Sequence, residues 1–279
     1  MTGLSFEFFP PRTETGAKRL DRAITELARF SPDYVSVTYG AGGSTADGTL
    51  RTLNRIRQRT GTPTASHLCF SGVAKAQTDA FADKIWRDGH RRVVTLRGDA
   101  DEAVGQGYGT VPEFVAALRE RHPFEIAVAC YPEIHPRAES LEQDLDVLLA
   151  KQEAGATHAL SQFFFDPEVF FAFHARARAH GITIPIVPGL LAVHDVEAAI
   201  SFGDKCGSPV PQWVRERFMN AERAGLSERD VAEALIVEAV RELCANGVRD
   251  LHLYTLNRWE LCDAAAKAFR EHHPVARAA

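Results

Sequence analysis

Leu4-Ser5-Phe6-Glu7-Phe8-Phe9 is a run of apolar and aromatic residues that ends at Pro10-Pro11, and it predicts a buried β-strand near the start of the chain. Glu7 stands out in this strand because its side chain is ionisable. Apolar surroundings favour the neutral form of a carboxyl group and raise its pKa, so Glu7 is a candidate general acid near neutral pH. The alternative is a solvated glutamate on the exposed face of an edge strand, and the strand alone does not decide between the two.

Seven further short runs of β-branched or aromatic residues alternate with stretches of helical period along the 279-residue chain. The eight predicted strands are 4–9, 34–38, 64–68, 92–96, 125–130, 158–163, 184–188 and 250–255. Apolar residues at helical spacing between them, such as Leu20, Ile24 and Leu27, predict helices that cover a sheet. Eight strand–helix units without a linker predict an α/β fold, a closed (β/α)8 TIM barrel that residues 1–279 form as one domain. An open doubly wound sheet is the main alternative.

The segment between the seventh and eighth strands is longer than the other connections. It predicts a helix near 194–206, a proline-bounded segment at 209–223 and a long helix at about 227–246, which Ser227 begins and Gly247 ends. We therefore expect a helical insertion between strands seven and eight.

Composition and charge restrict the class of function. The chain is 45% hydrophobic with a formal net charge of −5, so no basic excess indicates nucleic acid or a membrane as a partner. No apolar run approaches the ~18 residues of a membrane span, and the N-terminus lacks an apolar signal core, which together predict a cytoplasmic protein. The five cysteines lack a C-x-x-C pair and the eleven histidines lack metal-binding spacing, which predicts buried thiols and no metal site.

Polar residues are predicted to meet at one end of the barrel, because catalytic groups of parallel barrels collect where the strands end. Glu7, Asp99 and Gln162 lie at or just beyond the ends of strands one, four and six. Asp99 could instead cap a turn or helix, and Gln162 could bridge backbone groups. A glycine-rich stretch, Gly40-Ala41-Gly42-Gly43-Ser44-Thr45, could cradle a phosphate, although it matches neither the dinucleotide nor the Walker pattern.

Seven motifs occur in order along nearly the whole chain: SFEFFPP at 5–11, VSVTYGA at 35–41, LRGD at 96–99, YPE at 131–133, QFFFD at 162–166, PG at 188–189 and YTLNR at 254–258. Together they resemble the bacterial methylenetetrahydrofolate reductase family. The resemblance implies a catalytic barrel that binds FAD, takes a hydride from NADH or NADPH and passes it to 5,10-methylenetetrahydrofolate in ping-pong order. It also implies a place in one-carbon and methionine metabolism and a homo-oligomer.

The resemblance further implies roles for single residues. Glu7 would donate the proton that opens the imidazolidine ring of the folate, and Asp99 would lie beside flavin and pterin. Substrate contacts would come from Gln162, Phe202 and Arg258, although a core contact for Phe202 and a surface ion pair for Arg258 are equally open. The FAD contacts would come from Thr38, His67, Arg97, Gly98, Tyr131, His135 and Lys151, with Ala156 packed behind the flavin. Because His67 lies in a predicted strand, it could instead be a histidine of the protein core.

Two loops depart from the family's pattern, at 42–45 and at 100–108. Both border the expected cofactor site, so the residue that meets the adenosine end is open, with Tyr108 as one candidate. Two other classes of protein also stay open: a non-redox pterin-binding barrel that transfers a methyl or methylene group, and a non-catalytic barrel that serves as an assembly partner.

Overall fold

A computed structural model describes residues 3–39, 45–98 and 107–275 of the chain. Its eight parallel strands close into a barrel in sequential order. They are β1 (Gly3–Phe8), β2 (Tyr34–Val37), β3 (Thr64–Cys69), β4 (Arg92–Leu96), β5 (Glu125–Cys130), β6 (His158–Phe163), β7 (Ile186–Leu191) and β8 (Asp250–Tyr254). The predicted TIM barrel is confirmed, and the open sheet is excluded because β1 pairs with both β2 and β8.

Helices follow the strands and cover the outside of the barrel. They are α1 (Glu14–Ala28), α2 (Ala46–Thr60), α3 (Lys75–Arg87), α4 (Val111–Arg121), α5 (Leu141–Glu153), α6 (Pro167–Ala179), α7 (Val196–Cys206), α8 (Gln212–Arg223), α9 (Glu228–Ala245) and α10 (Glu260–His272). Helices α7, α8 and α9 all lie between β7 and β8, so the predicted insertion is confirmed. Ser227 begins α9 as expected, because its side chain accepts a hydrogen bond from the backbone N–H of Asp230.

Buried apolar residues form two separate clusters. The larger cluster fills the layer between the strands and the helices. The smaller cluster takes one residue from each of six strands: Tyr34, Ala65, Val94, Ala127, Leu160 and Val187. Such a ring of residues fills the interior of a barrel with side chains.

The seventh strand differs most from its prediction. The sequence predicts 184–188, whereas β7 begins at Ile186 and continues to Leu191. Pro188, which has no N–H to donate, suggested an end to the strand. The strand continues because Gly189, Leu190 and Leu191 pair with β8, which is a tertiary contact that local propensity does not contain.

None of the helices within the described ranges combines the length and apolarity needed to cross a bilayer.

Candidate active site

A cavity of about 430 Å³ opens where the barrel strands end. Val94 and Leu160 of the interior cluster also line it, so that cluster forms its floor. Nine residues predicted from the sequence line this cavity: Glu7, Thr38, His67, Arg97, Gly98, Tyr131, His135, Gln162 and Phe202. The fold therefore brings most of the predicted site together.

Glu7 lies in this cavity between two histidines. Its Oε2 atom is 3.2 Å from Nε2 of His67 on β3 and 3.6 Å from Nε2 of His252 on β8. All three side chains are buried. Neither Nε2 atom makes a well-aligned hydrogen bond in the part of the chain that the structure describes. We call Glu7, His67 and His252 the Glu7 cluster.

The pKa of Glu7 corrects one expectation from the sequence. Burial raises this pKa, as the aromatic strand predicts, but the charges and hydrogen-bonding groups of His67 and His252 outweigh burial and lower the pKa to about 2. The expectation that aromatic neighbours keep Glu7 protonated is therefore wrong. It considered only neighbours within β1, whereas the deciding side chains come from β3 and β8. Groups this close titrate together, so protons in this site belong to the Glu7 cluster rather than to one residue.

Sequence analysis missed His252, which is fully buried. Its Nδ1 atom lies 2.7 Å from the hydroxyl oxygen of Ser5, its register partner across the β1–β8 pair. The Ser5 contact therefore fixes the orientation of the ring whose other nitrogen faces Glu7. A signal existed in the sequence, because His252 precedes Tyr254 by two positions and strand alternation places both on one face of β8.

Thr38 and Arg97 offer polar groups to the cavity. The Thr38 hydroxyl is buried and has no hydrogen-bond partner among the described residues. Arg97 follows β4, and its guanidinium pairs with no carboxylate in the described ranges. Gly98 next to it has φ +95, and an added Cβ would lie 3.1 Å from Cβ of Cys69, so this turn requires glycine. The end of β4 thus has a turn that requires glycine, next to a guanidinium group without a carboxylate partner in the described ranges.

Tyr131 and His135 form an aromatic corner after β5. Their ring centroids are 4.4 Å apart with the planes nearly perpendicular. Burial lowers the pKa of His135, which favours the neutral imidazole. Both rings line the cavity, so together they offer it apolar edges and a hydrogen-bonding nitrogen.

Lys151 and Ala156 do not line the cavity. Lys151 is buried in the last turn of α5, and its Nζ donates a 2.8 Å hydrogen bond to the carbonyl of Ala129, which does line the cavity. Burial lowers the pKa of this lysine. Ala156 is buried in the layer between strands and helices. Lys151 therefore supports the cavity wall from behind.

Gln162 lies at an irregular point of β6, where the pairing with β7 shifts between Leu160 and Phe163. Strand alternation places Gln162 on the same face as Leu160, and both residues line the cavity. Its side-chain oxygen accepts a hydrogen bond from the N–H of Phe163 at 3.0 Å. Phe163 in turn stacks on Phe202 of α7, with centroids 5.5 Å apart and planes 13° apart. On this side of the cavity, the side-chain amide of Gln162 therefore lies next to a flat apolar surface formed by Phe163 and Phe202.

Some predicted residues lie elsewhere. Arg258 is exposed and lines a neighbouring groove. Tyr108 is buried, and its hydroxyl donates to Asp79, so it packs between α3 and α4 rather than lining the cavity. Asp99, the glycine-rich stretch at 40–44 and the divergent loop at 100–106 lie outside the described residues.

Within the described ranges, no three histidine, cysteine or acidic side chains come together as metal ligands. Four of the five cysteines are buried and Cys206 is half-buried.

Comparisons with known proteins show which family the chain belongs to. A family model described as methylenetetrahydrofolate reductase matches residues 1–269. The 5,10-methylenetetrahydrofolate reductase of Pectobacterium carotovorum is 37% identical over 274 residues, which cover 98% of this chain and 92% of that protein. The enzyme of the same name from Escherichia coli K12 is 37% identical over 258 residues, covering 92% of this chain and 87% of the relative.

A solved structure shares the fold at low identity. It is an uncharacterized protein from Clostridium thermocellum that binds two copies of 5-methyl-5,6,7,8-tetrahydrofolic acid. It superimposes with a TM-score of 0.68 at 13% identity, over 98% of this chain and 96% of that one. At this identity the likeness shows the fold alone.

Proposed function

Because this chain belongs to the methylenetetrahydrofolate reductase family, we propose that it reduces 5,10-methylenetetrahydrofolate to 5-methyltetrahydrofolate, with NADH or NADPH as hydride source and FAD as hydride carrier. Membership makes the chain an oxidoreductase of folate metabolism. It favours this reaction over the non-redox pterin barrel and over a non-catalytic barrel. The cofactor, the order of hydride transfer and the role of each residue are the parts that we propose.

The observation that carries the proposal is the Glu7 cluster at the mouth of the barrel. Opening the imidazolidine ring of the folate requires a proton on the departing nitrogen, and a buried carboxylate between two imidazoles can hold and deliver one. The low pKa of Glu7 means that the carboxylate is ionised in the unliganded cluster. We infer that the Glu7 cluster supplies this proton and that Glu7 passes it to the substrate, a contribution on the order of 10²- to 10⁴-fold for a positioned acid.

The cavity has groups that fit a flavin. The Thr38 hydroxyl, which is buried and has no partner among the described residues, is the kind of group that a heteroaromatic ring satisfies. The Arg97 guanidinium, which pairs with no carboxylate among the described residues, suits a pyrophosphate, and Tyr131 and His135 offer ring faces and edges. FAD supplies storage of a hydride between two substrates that never meet. Thr38, Arg97, Tyr131 and His135 are therefore the residues that we propose hold it, with Gly98 leaving room for its approach.

Gln162 and Phe202 are proposed to orient the substrates. The side-chain NH₂ of Gln162 makes no hydrogen bond within the described residues, so it is available to a ligand. Phe202 is 38% exposed and presents a flat face, stacked on Phe163, to a planar ring. Asp99 keeps its proposed place beside flavin and pterin. The single domain, the cytoplasmic location and the homo-oligomer also stay predictions.

The visible absorption spectrum of the purified protein tests this proposal. We expect flavin bands that bleach with NADH or NADPH under anaerobic conditions and return when methylenetetrahydrofolate is added. As a control, the folate added to the oxidised protein without nicotinamide should leave the spectrum unchanged. A protein that binds folate but stays colourless after FAD is supplied would contradict the flavin relay and revive the non-redox barrel.

A further inference from the structure

A row of polar side chains runs through the interior of the barrel, on the side of Glu7 that faces away from the cavity mouth. Tyr34 and His158 are the first residues of β2 and β6, so they lie at the N-terminal end of the barrel, opposite the cavity. Ser5 of β1 pairs in register with both Tyr34 and His252. We call Ser5, Tyr34, His158 and His252 the interior row.

The members of the interior row contact one another in sequence. Nε2 of His252 is 3.6 Å from Oε2 of Glu7, and its Nδ1 is 2.7 Å from the hydroxyl oxygen of Ser5. The Ser5 hydroxyl is hydrogen-bonded to the Tyr34 side chain. The Tyr34 hydroxyl is 3.4 Å from Nε2 of His158. A continuous series of hydrogen-bonding atoms therefore leads from the Glu7 carboxylate to His158.

His158 brings the interior row to the surface, because this residue is only half-buried. Its Nδ1 lies 3.0 Å from the hydroxyl oxygen of Thr157, which is half-buried as well. Arg92 and Glu125, the first residues of β4 and β5, form an ion pair at this end of the barrel, with 2.8 Å between Nε and Oε2. Protons of the solvent therefore have access to the far end of the row.

Every member of the interior row can donate and accept a hydrogen bond at the same time. Hydroxyl groups do so, and a neutral imidazole carries a proton on one nitrogen and a lone pair on the other. Burial raises the pKa of Tyr34 above its ordinary value and lowers the pKa of His158 to about 4. Both side chains are therefore neutral near pH 7, and a proton that moves along the row leaves no charge behind in the barrel interior.

The ionisation of Glu7 gives a route from this end its importance. The pKa of about 2 keeps the carboxylate ionised while the cavity is open, so Glu7 does not take its proton from the mouth in advance. The proton has to arrive once the substrate is in place. The substrate then covers the mouth side of Glu7, whose side chain is 9% exposed and lines the cavity.

We propose that the interior row is a proton relay that supplies Glu7 from the N-terminal end of the barrel. The inference rests on the proposed function, because it assumes a reaction that consumes one proton at Glu7 in each turnover. Nε2 of His252 gives its proton to Glu7, and Nδ1 takes one from the Ser5 hydroxyl. Ser5 takes a proton from Tyr34, and Tyr34 takes one from Nε2 of His158. Nδ1 of His158 takes one from an acid in the solvent, so every bond that breaks is matched by one that forms.

Proton uptake during reoxidation by the folate tests the relay. The FAD-saturated protein is reduced by NADH, mixed anaerobically with methylenetetrahydrofolate, and followed by flavin absorbance and by a pH-indicator dye in weak buffer. We expect the wild type to take up one proton in step with reoxidation. Tyr34→Phe keeps the ring that stacks on His252 and removes only the hydroxyl. Tyr34→Phe and His158→Gln should slow reoxidation and proton uptake on the order of tenfold or more and leave bleaching by NADH at the wild-type rate.

His90→Gln is the matched control. His90 is a buried histidine near the N-terminal end of β4, and its Nδ1 lies 2.6 Å from the hydroxyl oxygen of Thr64. Thr64 precedes Ala65, which belongs to the interior cluster, so strand alternation places the Thr64 side chain on the outer face of β3. His90→Gln therefore removes a similar contact outside the interior row and should keep wild-type reoxidation and proton uptake.

Two results would overturn the relay. Wild-type reoxidation and proton uptake in both Tyr34→Phe and His158→Gln would show that the proton enters from the cavity, which His67 lines. Equal slowing in His90→Gln would reduce the effect to a general disturbance of this end of the barrel.

¹⁵N NMR of the histidines in the protein without substrates separates this inference from the proposed function. His158→Gln should shift the tautomer equilibrium of His252, to which Tyr34 and Ser5 connect it, and should shift nothing in a Tyr34→Phe background. Unchanged His252 resonances in His158→Gln would overturn the relay and leave the reductase standing. A connected row in a protein that does not reduce the folate would overturn the proposed function instead.

Discussion

At the scale of single residues, Thr38 gives the sharpest test of the cofactor site. Its hydroxyl is buried and finds no partner in the part of the chain that the structure describes, so Thr38→Val removes a group that costs stability in the protein alone. We predict that the free energy of unfolding of the FAD-free variant is unchanged or higher. If the hydroxyl binds the flavin, the Kd for FAD should rise on the order of tenfold. Urea denaturation and FAD titration measure the two effects.

Thr49 is the matched control for this substitution. Its hydroxyl is equally buried but donates a 2.8 Å hydrogen bond to the carbonyl of Thr38. Thr49→Val should therefore cost about 1 kcal/mol of stability. A Thr38→Val protein that loses stability as Thr49→Val does, with unchanged FAD affinity, would remove Thr38 from the cofactor site.

Glu7 also shows which properties of a single residue the sequence can predict and which it cannot. Glu7 could be identified as a candidate acid because it interrupts an aromatic strand. The direction of its pKa shift could not be predicted, since it depends on His67 and His252, which meet Glu7 only when the barrel closes. His252 lies 245 positions away in the chain, and no local pattern connects it to Glu7.

At the scale of elements, the loop after β8 is tied to the end of β1 by one side chain. Asn257 Oδ1 accepts from the N–H of Phe9 at 2.8 Å, and its Nδ2 donates to the Phe9 carbonyl at 2.9 Å. Asn257 also has φ 57, a left-handed conformation that asparagine tolerates better than alanine does. We predict that Asn257→Ala lowers the free energy of unfolding by about 1–3 kcal/mol, as measured by urea denaturation.

Asn246 provides the comparison for Asn257. It is exposed, and its Nδ2 makes one hydrogen bond, to the Glu242 carbonyl of its own helix. Asn246→Ala should change stability by less than about 0.5 kcal/mol. Equal effects of the two substitutions would show that the Phe9 contact contributes nothing to closing β1 against the β8 loop.

Element boundaries were predictable where hydrophobic runs were bounded by polar residues. β4, β5 and β6 begin and end where the sequence predicts. β7 does not begin and end where the sequence predicts, because pairing with β8 holds its last residues in the sheet. The register shift between Leu160 and Phe163 was not predictable, since register between strands is a property of the assembled sheet.

At the scale of the whole molecule, the Glu7 cluster links stability to pH. The pKa of Glu7 falls from 4.5 to about 2 on folding, so the folded state binds fewer protons between these values. The stability from the carboxylate is therefore fully present above about pH 4.5 and is lost as the pH falls toward 2. We predict that the wild-type protein loses about 1–3 kcal/mol more than Glu7→Gln between about pH 6 and pH 3.

Glu14→Gln controls for the general effect of losing a carboxylate. Its pairing with Lys18 is on the exposed surface, so its acid sensitivity should match that of the wild type. If Glu7→Gln and wild type lost the same stability over this range, the histidines would not hold Glu7 ionised in the folded protein.

The predicted and the observed structure agree best in the closure of the barrel. Eight regularly spaced strand–helix units leave few topologies, and strand ends then collect the polar residues at one mouth. The separate groove that Arg258 lines was not predictable, because residues of α1, of α9 and of loops distant in sequence form it.

The most direct test of the account measures the two half-reactions of Glu7→Gln separately by anaerobic stopped flow. The account predicts that NADH or NADPH bleaches the flavin of the variant at nearly the wild-type rate, because hydride transfer to the flavin needs no proton from Glu7. Reoxidation by methylenetetrahydrofolate should be slower by on the order of 10²-fold or more. Wild-type reoxidation by the folate would contradict the account, since the Glu7 cluster would then not supply the proton.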